Sequence, residues 1–123
     1  MNARQRRGRT GYHAGEAAEM CVAIDYERRG FAVAKRRWRG KSGEVDLIVR
    51  DGNALIFVEV KKSRSFARAA ERLSVRQMQR ICASAEEFLA SEPDGLLTEM
   101  RFDVALVDDK CQTKIIENAF GQI

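Results

Sequence analysis

Two carboxylates and a lysine in neighbouring β-rich segments are the residues of this sequence best suited to catalysis. The two segments are Glu44–Asp51 and Ala54–Lys62. Gly52 and Asn53 separate them and predict a hairpin, because glycine accepts the positive φ that a tight primed turn requires. With a two-residue loop, the register places Asp46 directly opposite Glu59. Lys61 shares the strand face of Glu59, because side chains alternate along a strand.

This arrangement needs a compensating cation. Two carboxylates that face each other across a hairpin repel, and the apolar residues around them add a cost of burial. One candidate is a divalent metal, since Mg²⁺ takes oxygen ligands, usually one or two carboxylates and water. The other candidate is Lys61, which would form a structural ion network with Asp46 and Glu59 on an exposed face of the sheet. The spacing is compatible with both interpretations.

The first predicted helix carries two glutamates that could join this group. Helical periodicity runs from about Tyr12 to Arg29, and Gly30 supplies the left-handed cap that ends such a helix. The apolar stripe of this helix consists of Ala14, Ala17, Met20, Cys21 and Ile24. On a helical wheel, Glu19 lies nearly opposite the apolar stripe and faces water, whereas Glu16 lies at the edge of the stripe. The spacing leaves open whether Glu16 is a surface charge or projects toward the sheet.

The remaining patterns predict the elements that must position these residues. They are a strand at Phe31–Arg39, a turn or mobile loop at Gly40–Gly43, a loop at Ser63–Leu73, and strands at Met100–Val107 and Thr113–Glu117. A second helix starts at Ser74, which has capping-box spacing to Gln77. The predicted fold is α/β, a central mixed β-sheet flanked by helices, in the order α-β-β-β-α-β-β. The length of 123 residues fits one domain. We assign residues 1–10 to a basic flexible arm and residues 11–123 to that domain.

Composition excludes several other classes of protein. No apolar run approaches the roughly 20 residues that span a bilayer. The three cysteines are far apart and there is one histidine, so we expect neither a disulfide framework nor a zinc site. Cys21 and Cys82 are predicted to pack as small hydrophobic residues on helices. We therefore expect a cytoplasmic protein with reduced thiols.

Basic residues are concentrated in one part of the chain. Residues 1–80 hold 19 Lys/Arg and 9 Asp/Glu, whereas residues 81–123 hold 3 and 9. Such clusters are typical of proteins that bind a polyanion, although a solvated surface also accounts for them. The sequence has no basic amphipathic helix with a large aromatic face, so a membrane surface is a weaker candidate partner. The candidates for nucleic-acid binding are Arg36, Arg37, Arg39, Lys41, Lys62, Arg64 and Arg76.

Two further polar or aromatic positions favour structural roles. Trp38 lies between Arg37 and Arg39, and strand alternation turns its ring away from those arginines and toward the core. Asp103 could be a distant metal ligand, but a hydrogen-bonded structural aspartate is the interpretation we prefer.

Several sequence blocks, in order, resemble a known family. Asp46 is followed at a short interval by Glu59-Val60-Lys61, which resembles the PD-(D/E)xK nuclease signature. The blocks that extend the match are Gly15-Glu16, Gly30-Phe31, Arg37-Trp38-Arg39, Gly43 to Ile48, Phe57 to Lys61, Arg101 to Val104 and Asn118-Ala119-Phe120. Together they resemble the YraN-like uncharacterised family over about residues 11–120. The fold of that family is similar to Holliday-junction resolvases and restriction endonucleases.

The resemblance implies a role for each candidate residue. Asp46, Glu59 and Glu16 are implied as ligands of Mg²⁺ or Mn²⁺. Lys61 is implied to orient the attacking water and to stabilise charge in the transition state, and Gln77 is implied as a supporting catalytic residue.

The implied activity is that of a metal-dependent endonuclease that hydrolyses DNA phosphodiester bonds, including those of branched or structured DNA. The alternative is a non-catalytic nucleic-acid-binding module that retains the nuclease fold. Asp46, Glu59 and Lys61 are all present, which favours catalysis. Resolvase relatives act as dimers, so the resemblance also raises the question of a homodimer.

Overall fold

The computed structural model describes residues 3–67 and 74–119, and the side chains of residues 15–67 and 74–119. Its elements are α1 (Ala3–Arg28), β1 (Ala32–Arg39), β2 (Glu44–Asp51), β3 (Ala54–Lys62), α2 (Val75–Leu89), a short 3₁₀ helix (Gly95–Leu97), β4 (Met100–Val107) and β5 (Thr113–Ile116). The five strands form one sheet in the order β1-β2-β3-β4-β5. The β3–β4 pair is parallel and the other pairs are antiparallel. The predicted mixed sheet and element order are therefore confirmed.

The β2–β3 hairpin has the predicted register. Its ladder runs from the pair Asp51 and Ala54 to the pair Leu47 and Val58. Gly52 in the loop has a φ of 61°, a conformation that glycine adopts without the steric penalty of a side chain. The hairpin therefore brings Asp46 to the level of Glu59, as the two-residue loop predicted.

Helix α2 covers one face of the sheet. Ser74 and Gln77 form the predicted capping box at its start. Its apolar side buries Ile81, Ala85, Phe88 and Leu89 against Ile48, Leu55, Phe57 and Phe102. The ring of Trp38 packs edge-on against Phe88, with 5.4 Å between the ring centroids, so the predicted core position of Trp38 is confirmed. This packing holds α2 beside the end of β3 that carries Glu59 and Lys61.

Helix α1 covers the opposite face, but with a different side from the one predicted. Ala18, Val22 and Tyr26 are buried against the sheet, whereas Met20 and Ile24 are 45% and 40% exposed. The predicted stripe through Met20 and Ile24 is therefore wrong. The cause is that α1 has apolar residues on both sides, so its periodicity does not determine which side faces the sheet.

The ends of several elements differ from the prediction. Helix α1 starts at Ala3 rather than near Tyr12, and Gly30 ends it with a φ of 93°. The division into an arm and a domain stays a prediction. The predicted loop at Ser63–Leu73 is described only to residue 67, and its residues 66 and 67 are helical. No helix of the described residues is long and apolar enough to cross a membrane.

The prediction for the cysteines needs a correction. Cys21 and Cys111 are joined in a disulfide, with 5.7 Å between their Cα atoms. They are 90 positions apart in sequence, and the packing of α1 over the β4 side of the sheet brings them together. Cys82 is partly buried and packs against the core under α2, as predicted.

Candidate active site

The alternation of side chains along β2 breaks at Asp46. In a regular strand Val45 and Leu47 would lie on the same face of the sheet. Here Val45 packs in the core under α2, and Leu47 packs in the core under α1. Asp46 occupies the irregular position between them, a place where strands commonly redirect a side chain toward a site.

Strand β1 breaks at the neighbouring position. Its ladder with β2 includes the pairs of Arg36 with Leu47 and of Trp38 with Val45, and it skips Arg37. Arg37 has a φ of 49°, which is uncommon for a residue other than glycine. The two irregular positions lie side by side, so the sheet is distorted on both strands next to Asp46.

Asp46 and Glu59 meet where β2 and β3 separate. Beyond the pair of Leu47 and Val58, the backbone N–H of Val60 donates to Asp46 Oδ2 at 2.8 Å. A side-chain carboxylate thus accepts from an amide at the end of the ladder. The carboxyl groups of Asp46 and Glu59 are close enough for each to change the pKa of the other. The predicted apposition of these two carboxylates is present in the structure.

Burial raises the pKa of both carboxyl groups. Burial is the larger cause for Asp46, and the charge of Glu59 adds to it, which together raise the pKa of Asp46 to about 7. Burial also raises the pKa of Glu59, and the ammonium group of Lys61 opposes that shift. The charge of Glu44 raises both pKa values further. Negative charge in this group is therefore only partly compensated by the protein itself.

Lys61 lies on the same strand face as Glu59, as alternation predicted. Its Nζ is 3.3 Å from Glu59 Oε1, and the side chains of Lys61 and Glu59 are 14% and 12% exposed. Extending the hairpin register would place Glu44 opposite Lys61, but the β2–β3 ladder ends at Leu47. Glu44 lies instead 3.4 Å from Arg39 of β1. Lys61 is thus directed at the carboxylate pair.

A cleft of about 240 Å³ opens from these residues toward α2. It is lined by Gly43, Glu44, Asp46, Glu59, Gln77, Arg80 and Ile81. Gln77 therefore lies at the candidate site, and its Oε1 also accepts from the backbone N–H of Ser74. Arg80 was not among the predicted site residues. It lies three positions after Gln77, so helical spacing from Gln77 would have identified it.

The turn between β1 and β2 is anchored to α2 beside this cleft. The backbone N–H of Gly40 donates to the carbonyl of Gly43 at 2.9 Å. The Glu87 carboxylate accepts from the N–H groups of Lys41 and Ser42, at 2.7 and 2.8 Å. The Ser42 hydroxyl also donates to Glu87, and this bond, together with the two backbone bonds, lowers the pKa of Glu87. The segment is therefore a defined turn, which fixes where β2 begins.

The prediction for Glu19 is wrong, and the structure decides the position of Glu16 that helical spacing left open. Glu19, predicted to face water, is 8% exposed and is buried beside the sheet. Glu16 is exposed. Burial raises the pKa of Glu19, and the charge of Asp46 adds to that increase, so the two carboxylates are close enough to interact. The buried row of Ala18, Val22 and Tyr26 contains the missed signal, because Glu19 adjoins it on the helix surface.

Glu19 is held by an arginine. Arg37 Nε donates to Glu19 Oε2 at 2.7 Å. A second pocket, of about 590 Å³, lies on this side of the sheet. Its lining residues are Glu16, Ala17, Glu19, Met20, Arg36 and Arg37. Asp46 thus has an acidic neighbour on each side of the sheet. Glu19 lies on the α1 side, and Glu59 lies on the α2 side.

Most of the predicted nucleic-acid-binding residues are at the surface. The exposed ones are Arg36, Arg39, Lys41, Lys62, Arg64 and Arg76. Arg37 is the exception, because its guanidinium group pairs with Glu19. Arg68 and Arg72, which belong to the same basic stretch of sequence, lie outside the described residues.

The oxygen donors of the site suit a hard divalent cation. Asp46 and Glu59 present carboxylate oxygens beside a cleft, and buried carboxylates of this kind are stabilised when they share a cation. Within residues 15–67 and 74–119, no group of three or more His, Cys, Asp or Glu side chains is arranged to hold a metal ion. The donor set is therefore a carboxylate pair with further oxygens supplied by solvent or substrate, the pattern that Mg²⁺ prefers.

Comparison with known proteins identifies relatives along nearly the whole chain. Residues 18–107 match the Uncharacterised protein family UPF0102. A UPF0102 protein of Ruegeria pomeroyi is 61% identical over 121 residues, which cover 98% of each chain. A UPF0102 protein of Cereibacter sphaeroides is 62% identical over 114 residues, or 93% of this chain and 97% of the relative.

Proposed function

This chain belongs to the UPF0102 family, and we propose that it is a metal-dependent endonuclease that hydrolyses DNA phosphodiester bonds. The observation that carries the proposal is the partly buried pair of Asp46 and Glu59 with Lys61 3.3 Å from Glu59. A fold rarely tolerates two adjacent buried carboxylates unless a function requires them.

We propose that Asp46 and Glu59 hold one or two Mg²⁺ or Mn²⁺ ions. A bound ion of this type polarises the scissile phosphate and activates water as a nucleophile. Glu16 was the implied third ligand, but its side chain is exposed. No three carboxylates of the described residues are arranged to hold a metal ion, so we propose that Glu19, whose charge reaches Asp46, supports the carboxylate pair without being a third ligand.

The remaining side chains of the cleft have roles in positioning and in charge stabilisation. The Lys61 ammonium group is directed at the carboxylate pair, so we propose that it orients the attacking water and stabilises negative charge that develops on the phosphate. Gln77 and Arg80 line the α2 side of the cleft. Arg80 can bind a neighbouring phosphate, because guanidinium groups match the geometry of phosphate oxygens.

DNA would be bound mainly through its phosphates. Exposed arginines and lysines lie on the segments that lead into the cleft, namely the β1–β2 turn, the end of β3 and the start of α2. Removing one side chain that binds a phosphate is expected to reduce the log–log salt slope on duplex DNA by roughly 0.9. Branched DNA is our preferred substrate class, and action on a four-way junction would require a homodimer.

A cleavage assay tests the proposal. Purified protein is incubated with single-stranded, duplex, flap and four-way DNA in Mg²⁺, Mn²⁺, Ca²⁺ or EDTA. We expect cleavage of at least one substrate in Mg²⁺ or Mn²⁺ and none in EDTA. Glu59→Gln should abolish cleavage.

Adjacent lysines provide a matched control. Lys61→Ala should lower the cleavage rate by roughly 10²–10³-fold with little change in DNA affinity, the usual effect of removing one group that stabilises the transition state. Lys62→Ala should weaken DNA binding and leave the maximal rate nearly unchanged, because Lys62 is exposed. DNA binding without cleavage under every condition would support the non-catalytic module instead.

A further inference from the structure

Arg37 is the one predicted DNA-binding residue whose side chain is directed toward the protein. Its neighbours Arg36 and Arg39 are exposed, whereas the Arg37 side chain is 27% exposed and pairs with the buried Glu19. Its φ of 49° accompanies the break in strand alternation beside Asp46. A left-handed conformation at a bulky residue persists when the surrounding contacts require it.

Two contacts of Arg37 lie along one turn of α1. Its Nε donates to Glu19 Oε2 at 2.7 Å. A Cβ atom added at Gly15 would lie 3.2 Å from Arg37 Nη2, so the guanidinium group passes directly over Gly15. Gly15 and Glu19 are four positions apart and lie on the same side of the helix. The small residue leaves room for the arginine, and the acidic residue pairs with it.

We propose that Arg37 is a positioning residue of the proposed metal site, which anchors the Glu19 carboxylate beside Asp46, and that it does not contact DNA. This inference rests on the proposed function. Without Arg37, Glu19 would lose the donor that fixes its orientation, and a buried carboxylate without that donor would turn toward solvent. Side chains that surround the ligands of a metal site commonly contribute roughly 10–100-fold to metal affinity.

Mn²⁺ affinity tests the inference without any measurement of activity. Isothermal titration calorimetry, with and without duplex DNA, is applied to the wild type, Arg37→Ala, Arg37→Lys, Glu19→Gln and the Arg37→Ala/Glu19→Gln double variant. We expect Arg37→Ala to weaken Mn²⁺ binding about tenfold or more. Arg37→Lys should recover part of the affinity, and Arg37→Ala should have no further effect in the Glu19→Gln background.

Arg50→Ala is the matched control. Arg50 forms a two-point ion pair with Glu92 at 2.7 and 3.0 Å, but at the other end of β2. This variant should lose stability and retain wild-type Mn²⁺ affinity. An Mn²⁺ affinity that falls equally in Arg50→Ala and Arg37→Ala would indicate general destabilisation and overturn the inference.

The salt dependence of DNA binding separates the two roles considered for Arg37. Arg36→Ala should reduce the log–log slope by roughly 0.9, and Arg37→Ala should leave it unchanged. A reduced slope in Arg37→Ala together with unchanged Mn²⁺ affinity would overturn the inference and leave the proposed function intact. A wild type that binds no Mn²⁺ with or without DNA would overturn the proposed function, and the inference with it.

Discussion

Two aspartates on this sheet have opposite surroundings. Asp103 on β4 is fully buried, and four hydrogen bonds reach its carboxylate. The donors are the Tyr26 hydroxyl at 2.7 Å, Arg101 Nε and Nη2 at 3.0 and 3.2 Å, and the backbone N–H of Asn118 at 3.0 Å. Asp46 on β2 accepts from one backbone N–H and is surrounded by the charges of Glu19, Glu44 and Glu59.

The difference separates a carboxylate whose charge is compensated by hydrogen bonds from one whose charge is only partly compensated. Asp103 joins α1, β4 and the chain after β5, so its charge is compensated by the protein, and its predicted structural role is confirmed. Burial raises the pKa of Tyr26, and the hydrogen bond from Tyr26 to Asp103 raises that pKa further. Among the described residues, the donor to Asp46 is the backbone N–H of Val60, and the incomplete compensation of its charge makes its position a candidate metal site.

The largest effect is expected for Asp103→Asn. Replacing this buried charge weakens its bonds to Tyr26 and Arg101 and should lower the free energy of unfolding by about 2–4 kcal/mol. Urea unfolding in EDTA measures it. An unchanged or higher free energy of unfolding would show that the four hydrogen bonds do not compensate the buried charge.

The next largest effect is the gain in stability caused by Mg²⁺, which should depend on Asp46 and not on Asp103. At ten times its dissociation constant, Mg²⁺ should raise the free energy of unfolding of the wild type by about 1.4 kcal/mol, or roughly 3–8 °C in melting temperature. Asp103→Asn should show the same gain from its lower starting point, whereas Asp46→Asn should lose most of it. Thermal melts with Mg²⁺ and with EDTA provide the measurement. A gain retained in Asp46→Asn would place the metal elsewhere.

The stability of the metal-free protein should depend on pH through Asp46. Its pKa is raised from 3.8 to about 7 in the folded state. Between those values the folded state binds more protons than the unfolded state, so stability falls as pH rises through 7. We expect a loss of at least about 1 kcal/mol from pH 5 to pH 8, relative to Asp46→Asn. Parallel pH profiles of the two proteins in EDTA would contradict this shift.

The smallest effect is a gain in stability. At pH 8 in EDTA, Asp46→Asn removes one of two repelling charges with little change of shape and should raise the free energy of unfolding by about 0.5–1 kcal/mol. A structural ion network of Asp46, Glu59 and Lys61 predicts the opposite sign. Urea unfolding of wild type and variant decides between the two, and Asp103→Asn provides the comparison with a carboxylate that is compensated.

Local sequence was sufficient for the parts of this site that depend on the strand period and on turn chemistry. Gly52-Asn53 determines the hairpin register, and the register brings Asp46 to Glu59. Lys61 follows Glu59 by two positions, so alternation alone places it on the same face. The start of α2 at Ser74 was equally predictable, because its capping box is formed by neighbouring residues.

Tertiary structure decided which face of α1 meets the sheet, and with it which glutamate joins the site. Both sides of α1 carry apolar residues, so sequence periodicity selected Met20 and Ile24, although packing against the sheet buries Val22 and Tyr26. Glu19 is buried for this reason. The same packing joins Cys21 to Cys111 and turns Arg37 away from its basic neighbours. These contacts link residues that are far apart in the chain. The free energy of each contact depends on how whole helices and strands pack together and not on the local sequence.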